Sequence, residues 1–219
     1  EDLKTESTSR DRIAIILNTP GGSAETVEKL VDIVRYHYSE VHFVIPDEAM
    51  SAGTIFALSG DKIWMDYTSS LGPIDPQVNN GKDWVPALGY LDQVEKMIKK
   101  SADGTLTDAE LVILQNLDLA MLSRYEQAKN LTITLLKKWL VDYKFKDWTT
   151  HQTNQQNKIW HSHGRKIGVS TLQNLLRLKI EDFSTDAVFR AKVRSYAEFI
   201  TDYINRHDYP FFLHSRRYF

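Results

Sequence analysis

Two strand–turn–helix units that follow each other directly constrain the fold of this chain most strongly. Residues 12–18 and 41–46 are short apolar runs typical of buried strands, and each is followed by a turn and by apolar residues at helical spacing. Residues 62–66 form a third run of this kind. A β-α-β-α-β order implies parallel strands with right-handed crossovers. We therefore predict an α/β domain in which the turns that follow the strands share one edge of the sheet.

The turns at that edge contain a glycine pair and a serine. Asn18-Thr-Pro-Gly-Gly22 ends the first strand, and its two glycines let the backbone approach a ligand without side-chain obstruction. Met50-Ser-Ala-Gly-Thr54 lies between the second strand and a helix, so Ser51 adjoins N–H groups that have no partner within that helix. Such groups can receive the negative charge that develops when a hydroxyl attacks a carbonyl. Ser51 is thus a candidate nucleophile, and the alternative is that it only caps the helix.

These motifs, together with Ser69-Ser-Leu-Gly-Pro-Ile-Asp-Pro76, resemble those of the Clp-protease-like serine peptidases. The similarity is greatest to the branch called serine dehydrogenase proteinases, beside the signal peptide peptidase A and stomatin-operon-partner proteases, and it is strongest over residues 12–78. It implies a crotonase-like (ClpP/crotonase) α/β fold, a parallel spiral-type sheet with flanking helices and a helical carboxyl-terminal extension. We accordingly expect a polar lead-in over residues 1–11, the peptidase domain over 12–183 and the extension over 184–219.

The resemblance implies hydrolysis of a polypeptide substrate by a Ser-Lys dyad, without a metal or another cofactor. Ser51 would attack the scissile carbonyl, and the backbone amides of Gly21 and Ala52 would hold the oxyanion. A lysine can act as the base near neutral pH only if removal from water lowers its pKa far below the usual value. The same resemblance assigns three further glycines to substrate binding: Gly22, Gly53 and Gly72.

The base is identified through the stomatin-operon-partner proteases, whose lysine follows a tyrosine by six residues after a Pro-Ala pair. Pro86-Ala87 and Tyr90 select Lys96 in this sequence. In the helix predicted over residues 87–101, Lys96 lies opposite the apolar stripe, which suits a base that must face a cleft. Lys99 as the base and an ordinary solvated role for Lys96 remain open alternatives.

The segment from His161 to Ile167, followed by residues 169–176, resembles the part of the family that forms a small helix before the last core strand. His163 is an alternative general base, as histidine is in the Clp proteolytic subunit, although the Ser-Lys relatives favour a lysine. His161 and His163 also invite a metal interpretation. A zinc site needs further ligands, and no acidic or histidine partner is indicated nearby, so we predict no metal.

Composition and charge exclude several classes of function. The 219 residues carry a formal net charge of −2 without a basic stripe, so nucleic acid is not an expected partner. The chain contains no cysteine, which excludes disulfides and a cysteine nucleophile but leaves the compartment open. The longest apolar run comprises residues 13–17, whereas a helix that spans a membrane needs about 20 apolar residues. Many relatives carry an amino-terminal membrane anchor and this chain opens without a methionine, so we expect a lost anchor or a membrane-associated partner.

Residues 107–143 show a leucine-rich helical pattern with one break, which begins at the capping box Thr107-Asp-Ala-Glu110. One small sheet cannot cover so long an apolar helix, so we predict a homo-oligomer with this helix in the interface. The polar residues 144–158 are expected to form a loop across the cleft. After a helix over residues 185–206, the aromatic-rich tail is expected to dock on a protein surface.

Two other functions are compatible with the same fold. A crotonase-branch acyl-CoA enzyme would stabilise an enolate with paired backbone amides, but it would need carboxylates at the crevice where this sequence has a serine. A catalytically inactive scaffold or assembly protein would keep the fold and the extension without a working base. Labelling by a serine-reactive fluorophosphonate probe that is lost in Ser51→Ala would support the peptidase, whereas acyl-CoA turnover without labelling would support the crotonase branch.

Overall fold

The computed structural model describes residues 11–143, 166–174 and 178–214, apart from the side chains of residues 140–143. The described strands are β1 (Arg12–Ile16), β2 (Glu40–Ile45), β3 (Glu48–Ala49), β4 (Lys62–Met65), β5 (Ser70–Leu71), β6 (Gln77–Asn79), β7 (Trp84–Pro86), β8 (Ile167–Gly168) and β9 (Ile180–Asp182). The described helices are α1 (Ala24–His37), α2 (Ala52–Leu58), α3 (Ala87–Ala102), α4 (Asp108–Gln115), α5 (Leu119–Tyr143), α6 (Val169–Asn174) and α7 (Ala187–His207).

The main sheet has four parallel strands in the order β1-β2-β4-β9. Ile13 pairs with Val41, and Trp64 pairs with Val44 on one side and Glu181 on the other. Because every pair is parallel, the carboxyl ends of these strands meet at one edge, as the β-α-β-α-β order predicts. A smaller sheet has the strand order β3-β5-β8, in which β3 follows β2 along the chain and β5 follows β4. In it, β3 and β5 pair in parallel, and β8 pairs antiparallel to β5.

The main core lies between this sheet and the helices α1, α2 and α5. All seven residues of α2 are buried, because apart from Thr54 the helix has no polar side chain and it packs against α1, α5 and β3. Helix α1 contributes Val27 and Val31 to the same core, and α5 contributes Leu135 and Trp139.

The leucine-rich region divides into α4 and α5, with the break at residues 116–118, and the predicted capping box of Thr107 and Glu110 is present. The apolar residues of this region fall into two groups that differ in burial. Those in the second half of α5 are buried in the chain's own core, whereas α4 and the first residue of α5 expose Leu111, Val112, Ile113 and Leu119. The homo-oligomer therefore remains a prediction, and among the described side chains of this region the exposed large apolar ones lie in this part.

Helix α7 packs on a second, smaller apolar cluster formed by Val44, Trp64, Phe183, Phe189 and Val193. The tail turns back along α7, where Phe212 contacts the ring of Tyr203 at 5.5 Å and Tyr196 Oη lies 2.5 Å from His214 Nδ1. Over residues 209–214 the aromatic tail thus docks on a protein surface as predicted, and that surface is its own helix.

The residues Asn79-Asn-Gly-Lys-Asp-Trp-Val-Pro86 are typical of a loop, but in the structure they form most of the antiparallel hairpin β6–β7. Val78 pairs with Val85, and the side chains of Asn79 and Asn80 accept hydrogen bonds from turn N–H groups. The Asn-Gly dipeptide favours such a turn, but the two strands are too short to show alternation. The polar stretch 144–158 lies outside the described residues. Among the described helices, none combines the length and apolar composition that crossing a membrane requires.

Candidate active site

Ser51 lies between β3 and α2, with φ 49° and ψ −119°. Positive φ is uncommon and strained for a residue with a Cβ. Although Ser51 occupies the position before the first residue of α2, its side chain makes no capping hydrogen bond. A serine held in such a strained strand-to-helix turn is the arrangement that many hydrolases use to expose a nucleophile. The helix-cap alternative therefore does not describe this serine.

The glycine turn packs directly against the serine turn, as the shared sheet edge predicts. Gly21 has φ 113°, and a Cβ placed on it would lie 2.9 Å from both Met50 O and Ser51 Cβ. Only a residue without a side chain fits here. Two backbone hydrogen bonds fix this contact, one from Thr19 N to Glu48 O at 2.9 Å and one from Met50 N to Thr19 O at 3.0 Å.

The backbone N–H groups beside Ser51 include those of Gly21, Gly22 and Ala52, and they differ in whether they already donate a hydrogen bond. Gly21 N donates to Thr19 Oγ1 at 3.1 Å, so this N–H is engaged within its own turn. Within the described residues, the N–H groups of Gly22 and Ala52 donate no hydrogen bond, and both residues line the cavity at Ser51. Of these three N–H groups, those of Gly22 and Ala52 thus have no acceptor within the described residues, and the predicted oxyanion pair of Gly21 and Ala52 stays a prediction. The side chain of Thr19 explains the difference for Gly21.

Gly53 and Gly72, the other glycines predicted for substrate binding, lie close to Ser51 but do not line the cavity. A Cβ on Gly53 would lie 2.3 Å from Thr19 Cγ2, and one on Gly72 would lie 2.2 Å from Met50 Sδ. Their N–H groups donate to Met50 O at 2.8 Å and Ala49 O at 2.9 Å, respectively. Both glycines therefore permit the close packing that holds the serine turn.

Thr54 connects three segments beneath the serine turn, and the sequence analysis did not identify it. Its hydroxyl is fully buried and lies 2.6 Å from Ala49 O and 3.0 Å from Gly72 O. It also accepts from Gly72 N at 3.1 Å. A hydroxyl residue inside an otherwise apolar helix is a signal that could have marked it, because a buried hydroxyl needs a partner.

A cavity of about 620 Å³ opens beside Ser51. Its walls come from the glycine turn and first turn of α1, the start of α2, the loop and hairpin over residues 74–84, and the middle of α5. Most of the lining is apolar, and the large side chains include Ile55, Trp84 and Leu131. The space suits a peptide side chain that lies next to the attacked carbonyl.

The predicted base lies outside this cavity. The Lys96 side chain is 61% exposed on α3, with its Nζ 3.5 Å from Asp92 Oδ2. Lys99 is also exposed on α3, and no lysine in the described part of the chain lines the cavity. His163, the alternative base, lies outside the described residues. Within the described residues, the single chain thus brings Ser51, Gly22 and Ala52 together without bringing a lysine to them.

The described residues contain no group of three histidine, aspartate or glutamate side chains that could hold a metal ion. The pair His161 and His163 falls outside those residues.

Two uncharacterized proteins of Methanocaldococcus jannaschii are similar to this chain. Each is 35% identical, one over 60% of this chain and 48% of its own length, the other over 43% and 31%. This chain therefore spans about half or less of these relatives.

Two solved structures are also similar. A peptidase from Plasmodium falciparum covers 81% of both chains at 16% identity, with a TM-score of 0.44. A membrane-bound stomatin-specific protease, determined with a substrate peptide, covers 38% of this chain and 42% of its own at 27% identity, with a TM-score of 0.31.

The family described as ClpP-like SDH-type serine proteinases matches residues 5–190. This match covers most of the chain and includes the glycine turn, the serine turn and the loop after β4. It agrees with a parallel α/β sheet flanked by helices, and it confirms the crotonase-like fold and the resemblance that the motifs indicate. The chain belongs to the ClpP-like SDH-type serine proteinase family.

Proposed function

We propose that this chain is a serine endopeptidase with Ser51 as its nucleophile. The observation that carries the proposal is the strained, non-capping Ser51 beside two N–H groups, Gly22 and Ala52, that line the same cavity. Membership of a serine proteinase family supports the same chemistry.

In the proposed reaction, Ser51 Oγ forms a bond to the carbonyl carbon of the substrate as its proton passes to a base. The carbonyl electron pair moves to oxygen, and the N–H groups of Ala52 and Gly22 stabilise that charge. Each such donor contributes about a hundredfold or more in rate. Collapse of the tetrahedral intermediate breaks the C–N bond, the amine leaves with a proton from the base, and water then hydrolyses the acyl-enzyme.

Lys96 is the proposed base, and its exposed position sets a condition on the mechanism. A lysine must leave water to act as a neutral base. Lys96 therefore has to reach Ser51 either by a displacement of α3 or from a second copy of the chain. The second route agrees with the predicted homo-oligomer, since each cavity would then be complete only in the assembly.

A catalytically inactive assembly protein is the second candidate function. The observation that favours it is the absence of any lysine from the cavity lining within the described residues. Such a protein would keep the serine turn and the packing around it but would not react with a substrate.

Reaction with a fluorophosphonate probe and hydrolysis of a casein-derived peptide pool test the nucleophile. We expect both to be lost in Ser51→Ala and to persist in Ser123→Ala, a control because Ser123 is an exposed serine on α5 that does not line the cavity. Equal labelling of the Ser51→Ala variant and the parent protein would refute Ser51 as the nucleophile. Absence of labelling and hydrolysis in the parent protein would support the inactive alternative.

The base is tested with Lys96→Ala, Lys99→Ala and His163→Ala, each checked for folding by thermal unfolding. We expect only Lys96→Ala to abolish hydrolysis, and an inactive His163→Ala would show that the lysine assignment is wrong. Mixing Ser51→Ala with Lys96→Ala distinguishes the two routes. Recovered activity indicates that Lys96 acts on the Ser51 of another copy, whereas a base from the same chain gives no recovery.

A further inference from the structure

One negative charge borders the cavity beside Ser51. Glu25, in the first turn of α1, is the only ionisable side chain among the described residues that line it. Ser23 Oγ donates to Glu25 Oε2 at 2.6 Å. This hydrogen bond, together with one from a backbone N–H, lowers the pKa of Glu25, so the carboxylate is charged at neutral pH.

Most of the remaining cavity lining is apolar and suits aliphatic groups. Ile55, Ile74 and Leu131 contribute branched side chains, and Trp84 adds an aromatic ring that is 66% exposed at the start of β7. An exposed indole gains contact when a guest covers it, and its face also attracts cations. These walls accommodate a long methylene chain, whereas Glu25 interacts only with the polar end of such a chain.

We infer that the cavity selects a basic side chain, lysine or arginine, next to the scissile bond, and that Glu25 determines this specificity. The inference rests on the proposed peptidase function. A basic side chain places its methylene groups on the apolar wall and its charge near the carboxylate. A neutral aliphatic side chain gains only the first interaction, and an acidic one is repelled.

Glu25 is exposed, so its effect on binding is that of a surface ion pair. Such pairs contribute about 0.2–1 kcal/mol, which corresponds to about a 1.5- to fivefold difference in affinity. We therefore expect a lysine peptide to bind up to about fivefold more tightly than its norleucine counterpart, and a glutamate peptide to bind most weakly. Raising the salt concentration should reduce the difference between lysine and norleucine, because salt screens exposed charges.

The experiment measures binding to the Ser51→Ala protein, so that hydrolysis is not required. Fluorescein-labelled pentapeptides differ only in a central lysine, norleucine or glutamate, and fluorescence anisotropy gives their affinities. We expect Glu25→Gln to bring the lysine and norleucine affinities together while leaving norleucine binding unchanged. Glu28→Gln is the matched control: it lies one turn later on α1, pairs with Lys138 at 3.4 Å and is not in the cavity.

The inference is overturned if norleucine binds as tightly as lysine, if Glu28→Gln acts like Glu25→Gln, or if none of the peptides binds. Failure of the proposed function gives a different result. In that case the order lysine, norleucine, glutamate and its dependence on Glu25 would persist, while the parent protein would show no Ser51-dependent hydrolysis.

Discussion

Asp66, at the end of β4, holds the carboxyl-terminal helix α7 to the main sheet. Its side chain is fully buried and accepts hydrogen bonds from Thr68 N at 2.8 Å, Ser69 N at 3.1 Å, Arg190 Nε at 3.0 Å and Arg194 Nη2 at 3.0 Å. In Asp66→Asn, the amide NH₂ would replace one carboxylate oxygen and meet donors in place of an acceptor. We therefore expect this substitution to destabilise the protein.

The size of the effect follows from the charge of Asp66. Burial raises its pKa, but the hydrogen bonds from Thr68, Arg190 and Ser69 outweigh this and lower the pKa from 3.8 to about 2. That difference corresponds to roughly 2 kcal/mol of stabilisation of the charged form. Removing one partner of a buried pair costs about 3–5 kcal/mol. Arg190 and Arg194 are 31% and 26% exposed and can be partly hydrated, so we expect a loss of roughly 2–4 kcal/mol at pH 7.

Urea unfolding of the parent protein and of Asp66→Asn, followed by circular dichroism between pH 7 and pH 2.5, measures this loss. A lowered native pKa stabilises the protein above the unfolded pKa, and this contribution disappears as the pH falls through the native value. The difference between the two proteins should therefore be largest at pH 7 and should narrow below about pH 4.

Asp202→Asn is the matched control, because Asp202 pairs with Arg206 at 2.8 Å on the exposed face of the same helix. Its effect should stay within about 0.5 kcal/mol. The reasoning is refuted if Asp66→Asn is as stable as Asp202→Asn at pH 7, or if its deficit is the same at pH 2.5.

Three further predictions concern the serine turn and the assembly. Gly21→Ala should reduce fluorophosphonate labelling about tenfold or more, because a Cβ there would displace the serine turn. The control Gly89→Ala should be labelled normally, since no atom lies within 4 Å of a Cβ at that position. Equal labelling of both variants would contradict this prediction. Thr54→Val should lower the free energy of unfolding measured with urea by about 1–3 kcal/mol, since it leaves buried backbone groups without their hydrogen-bond partner. An unchanged urea midpoint would contradict the role of the hydroxyl. Light scattering of the parent protein should give a particle mass that is a multiple of the 25.3 kDa chain mass. The double variant Val112→Asp with Leu119→Asp should have the mass of one chain. A parent protein with the mass of one chain would rule out the oligomer.

Local sequence signals predicted the frame of the active site well. The apolar runs around Ile15 and Phe43 became neighbouring parallel strands, and the turns that follow them meet at one edge. The capping box at Thr107 could likewise be predicted from the sequence, because its hydrogen bonds join residues only three positions apart. Ser51 could be placed at the strand-to-helix turn for the same reason. Such features depend on periodicity, turn residues and strand order, which are properties of short stretches of chain.

The chemistry around that frame was decided by contacts between distant segments. Only the tertiary structure shows that Ser51 has positive φ and does not cap its helix, and that Thr54 ties the serine turn to the loop carrying Gly72. It likewise brings Glu25 and Trp84 to one cavity and leaves Lys96 outside it. The physical reason is that backbone strain, hydrogen-bond partners and cavity walls depend on which segments pack together, and this packing has no local signature in the sequence.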